Sequence, residues 1–558
     1  MSSIRRPLPP SRRGPGWPLI AILGAGVLSV GVVWFAFGGP LTGSDGDESD
    51  SYVEAVVGAP SRINPLFAYL NDADRDLATL VFSGLTRLSQ DGEVLPDLAA
   101  SWDQSSDGRS VTFHLRPDIV WHTGVTFTSA DVLFTYSLLA DPNLQGDPDQ
   151  APLWRQLKCS APDELTVLCE LPEPFAPLLA YTTMGIVPQH ILQGTDAASL
   201  FNSPFNQAPV GTGPFRLAQL DQTHAVLKAN PSYHLGAPAL GEIDFRFYPN
   251  GSSAAADIVR GEADGVLLDS GASQSDFDTL TSASGLKAYT ANRTAYTVLY
   301  LNNGRAPLND KSVRQAIAET VDLDEIVGEI LGGRAVRANS PMVPGTWASN
   351  PEIQAYKHDA GEARELLEEA GWKLPAEGDV RQRDNVELRI SLMTDLDPLR
   401  GAIADEIARE LADIGIDATV ARQNSTDLVR DFLIPRQYQT AIFGWEPGPD
   451  PDPYPGWHSS QASGNGRNLA AFQNQEADKV MEEARRTTDL DRRQQLYYTF
   501  QTIFHDNVPS VLLYYPVYTY FVREKVKGLE LGTLFYTSSR FGNVHEWRLE
   551  KTADIGGR

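Results

Sequence analysis

At 558 residues the chain is too long for one hydrophobic core, and about two to four domains are expected. Hydrophobic residues make up 42% of it, with 22 Phe, 19 Tyr and 10 Trp, the mark of a globular rather than a disordered protein. A net charge of −26 argues against a nucleic-acid partner, which needs a basic surface, and fits solubility outside the cell.

In chain order, residues 1–16 form a basic tail with Arg5, Arg6, Arg12 and Arg13 and no acid. Residues 17–37, WPLIAILGAGVLSVGVVWFAF, are 21 in number and carry no charge. As a helix they span about 31 Å, enough for a bilayer core. Residues 38–51 form a small, polar, acidic, flexible linker. The positive-inside rule predicts a single-pass cell-membrane anchor, with the N-terminus cytoplasmic and the rest extracytoplasmic. The alternative is a cleaved signal peptide, for which the apolar run is long and Phe35-Ala36-Phe37 is a poor cleavage site. No Cys follows the run, which excludes a lipid-modified cysteine anchor.

Residues 85–205 read as a smaller α+β insertion. Val111, Phe113 and Leu115 alternate as a strand, and a helix starts near Thr128 with Thr128 or Ser129 as its cap. The two cysteines, Cys159 and Cys169, flank a turn centred on Pro162-Asp163-Glu164, and Cys169 shares a face with Leu165, Val167 and Leu171. A hairpin there predicts a disulfide; two buried free thiols are the alternative. His114 and His122 lie near Asp131, but no HxxxH or HxH spacing occurs, so they read as loop histidines. The turn GTGPF at 211–215 lacks the Lys-Ser/Thr of a phosphate loop and opens a strand, so it reads as a tight crossover turn.

Further on, Val313, Ala316, Ile317 and Val321 form one buried helical stripe. Ala363, Leu366, Leu367 and Ala370 form another, in a helix capped by Asp359 with Glu362 reaching back and closed by Gly371. Val386, Leu388, Ile390 and Leu392 alternate. Leu399, Ile403, Ile407, Leu411 and Ile414 then follow at helical spacing up to Gly415, and Ile416, Ala418 and Val420 alternate again. Strand, helix and strand in this order predict a parallel α/β sheet.

The strand YQTAIFGW runs into WEPGPDPDPYPGWHSS at 445–460, a segment whose five prolines keep it from continuing a helix or a central strand. Asp450 and Asp452 stand two apart in an extended run and tend to point oppositely, which disfavours a glycosidase acid pair. No GxSxG appears, and no catalytic residue is assigned. Trp445 falls at the carboxyl end of an α/β strand, where ligands sit in such sheets. Trp445 and Trp457 are therefore expected as pocket walls with Tyr454 and His458 beside them, and ordinary packing is their alternative.

The ordered series of segments resembles the family-5 extracellular solute-binding proteins, the oligopeptide- and dipeptide-binding components of ABC importers. NPLFAYLNDADRDLATLVFSGLTR and LPDLAASWDQSSDGRSVTFHLRPDIVWHTGVTFTSADVLFTY carry it first. PVGTGPFRL, LKANPSYHLGAPALGEIDFRF, GEADGVL, LYLNNGRAPLNDKSVRQAIAETVDLDEIV and DAGEARELLEEAGW follow in family order, then the proline-rich loop and VPSVLLYY. The resemblance covers residues 60 to about 545. It implies a type II periplasmic-binding-protein-like α/β fold in its large three-domain variant. Domain I would comprise 52–84, 206–294 and 510–550, domain II 85–205 and domain III 295–509.

The implied function is capture of peptides or peptide-like solutes by closure of lobes, as a monomer, for the permease subunits of an ABC transporter, with no cofactor or metal. An oligosaccharide or other non-peptide ligand, and a tethered ligand-sensing module, are the alternatives. Tyr69 and Trp347 lie in loops that resemble cleft-lining segments, and Asn468 matches a recurrent family asparagine, with a turn or cap role as its alternative. One departure matters. Peptide binders of the family carry an aspartate three residues after the strand-ending tryptophan, where it pairs with the peptide amine. Here Gly448 stands at that position, and Glu446, Asp450 or Asp452 would have to substitute at a different spacing.

Overall fold

Residues 50–550, Ser270 excepted, are described by a computed structural model. The anchor expected at 17–37 lies outside the described residues, as do the basic tail and most of the linker. Among the described residues no helix is long and apolar enough to cross a membrane.

The first lobe begins with β1 (Ser51–Val57), whose buried Tyr52, Glu54, Ala55 and Val56 mark an interior strand. Helix α1 (Asp72–Val81) is capped by Asn71, with Asp72 and Asp74 favourable in its first turn. Leu77, Leu80 and Val81 of α1 enter the core, and the end of the helix rests on the GTGPF turn. A Cβ at Gly211 would lie 1.8 Å from the Val81 carbonyl oxygen, and one at Gly213 would lie 2.5 Å from that of Leu80, so only glycine fits either place. The turn is a point of close backbone approach, as its crossover reading expects.

Strands β2 (Ala99–Gln104) and β3 (Ser110–Leu115) lead to helix α2 (Ser129–Ala140). Thr128 and Asp131 close a reciprocal capping box on α2. Asp131 also accepts from the Gln189 backbone and the Trp121 indole, so its oxygens are committed to structure. Strands β4 (Lys158–Asp163) and β5 (Thr166–Glu170) complete a four-stranded antiparallel sheet in the order β2-β3-β5-β4. Cys159 and Cys169 face each other across β4 and β5 and are disulfide-bonded, with Cα atoms 4.1 Å apart. Leu165 is 37% exposed, because the hairpin turn carries it off the face that Val167 and Cys169 bury.

The larger sheet takes in β6 (Phe215–Leu220), β7 (His224–Ala229), β8 (Glu242–Tyr248), β9 (Gly265–Leu268) and β10 (Leu286–Asn292). The second lobe adds β11 (Tyr296–Leu301), α3 (Lys311–Thr320), β12 (Ala335–Arg337), α4 (Ala360–Glu369), β13 (Arg389–Thr394), α5 (Pro398–Asp413), β14 (Asp417–Arg422), β15 (Thr440–Trp445), α6 (Gln475–Arg486), α7 (Leu490–Asn507) and β16 (Ser510–Arg523). The order across the sheet is β14-β13-β15-β11-β16-β9-β1-β8-β7-β6, with β10 and β12 also paired to β16. Strands β13 and β14 are parallel and joined by α5, the expected strand–helix–strand unit. The first strand of that unit is shorter than its alternation suggests. Val386 is 61% exposed and belongs to a small hairpin with Gln382–Arg383, turned by Asp384 and Asn385 at positive φ.

The ends of the first lobe are held by a buried charge cluster. Arg540, 2% exposed, donates to Glu54 at 2.9 and 3.0 Å and to Asp76 at 2.5 and 2.9 Å. Tyr52 and Tyr520 each donate to the other Glu54 oxygen at 2.7 Å. Burial pushes the Asp76 carboxyl up to about 6 against the pull of Arg540.

His122 clamps the GTGPF turn from the opposite side. Its Nδ1 accepts from the Gly211 amide at 3.3 Å, and its Nε2 donates to the Gly213 carbonyl at 3.1 Å, an arrangement only the neutral ring can make. Burial pushes its pKa from 6.5 down to about 4. The folded pKa is the lower, so this contribution is complete above the unfolded value and is lost as pH falls through the interval. Between pH 6.5 and 4 it should remove roughly 3 kcal/mol of stability. Urea unfolding of wild type and His122→Gln across that range should show a shallower fall in the variant.

Candidate functional site

Trp445 ends β15 and pairs with Tyr296, the first residue of β11. β11 starts just after the chain has crossed from the first lobe through Arg293–Ala295, so the strand end and the crossover share one place. Trp445 is half-buried, and its indole lies on Gly456, where a Cβ would sit 3.3 Å from the ring. Glu446, next along, is exposed and meets Arg293 at 2.7 Å. The Arg293 guanidinium also bonds the Tyr518 hydroxyl of β16, while its Nε is buried without a partner.

Other groups converge on the same junction from the first lobe. Arg75 of α1 stacks 4.5 Å from the Tyr536 ring centre. Burial pushes the Tyr536 hydroxyl up to about 12, and Arg75, Asp147, Glu446 and Arg293 are the charges that bear on it. Tyr69 is half-buried and its hydroxyl donates to the Gln145 and Gly146 carbonyls at 3.3 and 3.2 Å. The structure thus gathers Tyr69, Trp445 and Glu446 around Arg293, Arg75 and Tyr536. The last three were not read from sequence. The only signal for Arg293 was its place in ANRTAY between two strands, and that becomes informative once both strands are known to pair with β16.

The remaining candidates lie in the body of the second lobe. Asp450 is 5% exposed and receives both terminal nitrogens of Arg493 on α7, at 2.8 and 3.2 Å. Arg493 in turn lies 5.1 Å from the Trp347 ring centre and bonds the Tyr497 hydroxyl at 2.7 Å. Trp347 is half-buried and packs on Tyr497 with centroids 5.5 Å apart. Asp452 is buried, takes the Arg485 Nε of α6 at 2.8 Å, and accepts from the Tyr454 amide. Its burial pushes the carboxyl up, partly offset by Arg485. Arg485 covers the Tyr454 ring at 4.1 Å, and Tyr454 stacks on His458 at 4.0 Å.

Trp457 is 2% exposed, donates to the Tyr296 hydroxyl at 3.1 Å and packs edge-on against Phe504, so its ring is core. Asn468 is fully buried. Its amide donates to the carbonyls of Trp457, His458 and Phe472, and its oxygen takes the Phe472 amide. Asp450, Asp452, Trp457, His458 and Asn468 therefore hold the loop in shape, while Trp445, Glu446 and part of Tyr454 and Trp347 remain open. Gly448 has φ +89° and faces open space, so a side chain there would be strained.

Residues that flank or support the loop also meet the first lobe. The Ala176 amide donates to the Arg485 carbonyl at 2.7 Å, and Arg485 lies 4.9 Å from the Phe175 ring centre. Arg467 pairs with Asp149 at 2.8 Å. A surface recess of about 390 Å³ between Arg305, Ser391 and Gln437–Gln439 lies at the amino ends of β13 and β15, away from Trp445.

A family model described as bacterial extracellular solute-binding proteins, family 5 Middle, matches residues 93–467. Oligopeptide-binding protein AppA of Bacillus subtilis is 26% identical over 508 residues, 89% of this chain and 91% of that protein. Heme-binding protein A of Haemophilus influenzae is 26% identical over 524 residues, 90% of this chain and 92% of that protein. Among solved structures, AppA from Bacillus subtilis in complex with a nonapeptide has a TM-score of 0.70 at 26% identity, covering 90% of this chain and 99% of that one. NikZ from Campylobacter jejuni in complex with Ni(L-His) has a TM-score of 0.72 at 27% identity, covering 90% and 100%.

The Asp450–Arg493 pair yields a prediction that separates scaffold from ligand contact. Asp450→Asn leaves a buried guanidinium without its counter-charge and should cost roughly 3–5 kcal/mol in denaturant unfolding. Unchanged stability with weaker ligand binding would instead assign Asp450 to the ligand.

Proposed function

The chain belongs to the bacterial extracellular solute-binding proteins of family 5, and we propose that it captures a peptide or peptide-like solute between its lobes and delivers it to the permease of an ABC transporter. The observation that carries this reading is the junction itself. A half-open indole, an exposed carboxylate and a partly buried guanidinium meet where the lobes join. Trp445 offers an apolar face to a side chain. Arg293 suits a carboxylate and Glu446 an amine, the two ends of a zwitterion, and their mutual ion pair would open to receive them. Glu446 would then do the work of the aspartate that Gly448 replaces. Closure of the lobes would exclude water and strengthen these contacts.

A non-peptide solute is the second reading, favoured by the glycine at 448 and by the Ni(L-His) complex of NikZ. Mass spectrometry of solutes that co-purify with the full-length chain separates the two. Peptides are expected; recovery of only a sugar or a metal chelate would overturn the peptide reading. With the recovered peptide resynthesised, Trp445→Ala should weaken binding about tenfold in calorimetry with an unchanged melting temperature. Equal affinity would remove Trp445 from the site. Residues 17–37 would hold the protein at the membrane with its lobes outside. On that reading the full-length chain fractionates with membranes and is not extracted by high salt, and recovery in the soluble fraction would count against the anchor.

A further inference from the structure

Three potential metal ligands meet on the second lobe, outside the junction described above. Asp322, His358 and Glu410 each offer one donor atom, and these atoms all lie within 4.8 Å of one another. They come from segments far apart in sequence. Asp322 follows α3, His358 precedes α4, and Glu410 sits near the end of α5. Helix α5 leaves the carboxyl end of β13 and runs back along the sheet. Glu410 therefore lies about 18 Å along the helix from its start, toward the edge opposite Trp445.

Each side chain is set for ligation in its own way. The Nδ1 of His358 meets the Thr320 carbonyl at 2.7 Å. A carbonyl only accepts, so Nδ1 donates to it, and in the neutral ring Nε2 keeps a free lone pair for a metal. A backbone carbonyl behind the imidazole is the usual support of a metal-bound histidine. Asp322 caps the next short helix through Oδ1 alone, with the Asp324 and Glu325 amides. Glu410 is 4% exposed, and among the described residues its oxygens accept only the Asp322 amide, at 3.2 Å each. Among the described residues no Lys or Arg forms an ion pair with Glu410 or Asp322. A buried carboxylate with no ion-paired Lys or Arg among the described residues, and a histidine nitrogen within 4.8 Å of it, is the environment a cation would complete.

We propose that Asp322, His358 and Glu410 form a binding site for a divalent transition ion of the zinc class, separate from the solute cleft. One imidazole and two carboxylates make a mixed nitrogen–oxygen set, which suits zinc better than calcium or magnesium, both of which favour all-oxygen shells. An ion central to donors no more than 4.8 Å apart lies within about 2.8 Å of each. Zinc bonds of about 2.0–2.2 Å need an inward shift under about 1 Å, which rotation of exposed His358 and half-exposed Asp322 supplies. Water fills the remaining positions. The bound ion would clasp the end of α3, the approach to α4 and the back of α5. Spacing rules in the sequence cannot find such a site, because no two ligands share an element.

The test uses the full-length chain, stripped with chelator and titrated calorimetrically with zinc chloride in the absence of histidine and peptide. One-site binding is expected, with a zinc-dependent rise in melting temperature. His358→Gln and Glu410→Gln should each weaken binding more than about tenfold and abolish that rise, while His114→Gln on the far lobe should change neither. No binding at about 100 μM zinc, or affinity in both ligand variants equal to wild type, would overturn the proposal. Circular dichroism of each apo variant shows whether it is folded. If one is not, Asp322→Asn takes its place in the comparison.

Discussion

Strand β16 runs fourteen residues without a break, and its two halves serve different lobes. Residues 510–516 pair with β11 and β12, and residues 517–523 pair with β9 and β10. Pro516, which lacks an amide donor, sits between the halves, and the Arg293 amide bonds its carbonyl. The shared strand ties the two lobes together, and its ladder is weakest at Pro516. A register shift between Thr297 and Val298, on the partner strand, falls opposite Leu512–Tyr514, two to four residues before Pro516. Trp445, Glu446 and Arg293 gather beside that connection, so the junction inherits its geometry from the shared strand.

The proline-rich loop is fixed by two different means. Its backbone is stiffened by proline, and its buried aspartates are neutralised by arginines from α6 and α7. Those arginines lie against Tyr454 and Trp347, so the aromatic rings at the rim rest on desolvated charge rather than on solvent. Breaking either pair would leave an ion in a low-dielectric interior, which makes the loop costly to rearrange. A wall already held in place loses little freedom when a solute arrives.

Much of the architecture was legible because its signals are local. The capping residues at Thr128 and Asp359, the parallel unit around α5, the hairpin of Cys159 and Cys169 and the crossover turn at 211–215 all state their structure within a few residues. The candidate site was legible in part. Trp445 could be placed at a strand end, but whether Asp450 and Asp452 faced a solute or an arginine depends on helices some thirty to forty residues further on. Trp457 reads as a wall residue from its loop, whereas Tyr296 and Phe504, distant in sequence, enclose it. Arg293, Arg75 and Tyr536 come together only through the sheet order, which no periodicity reveals. Val386 misled because alternation cannot distinguish one strand from a hairpin followed by a strand.

The buried cluster of Glu54, Asp76 and Arg540 sets a timetable for assembly. The two acids are among the first of the described residues to be made, and their cationic partner among those residues lies 486 positions after Glu54. At typical ribosomal speeds that interval is on the order of a minute. Until it ends, the first lobe has two carboxylates that cannot be buried at tolerable cost. The lobe that starts the chain is thus the last to be completed, and a truncation near residue 540 would leave it unfinished however much of the second lobe had already formed.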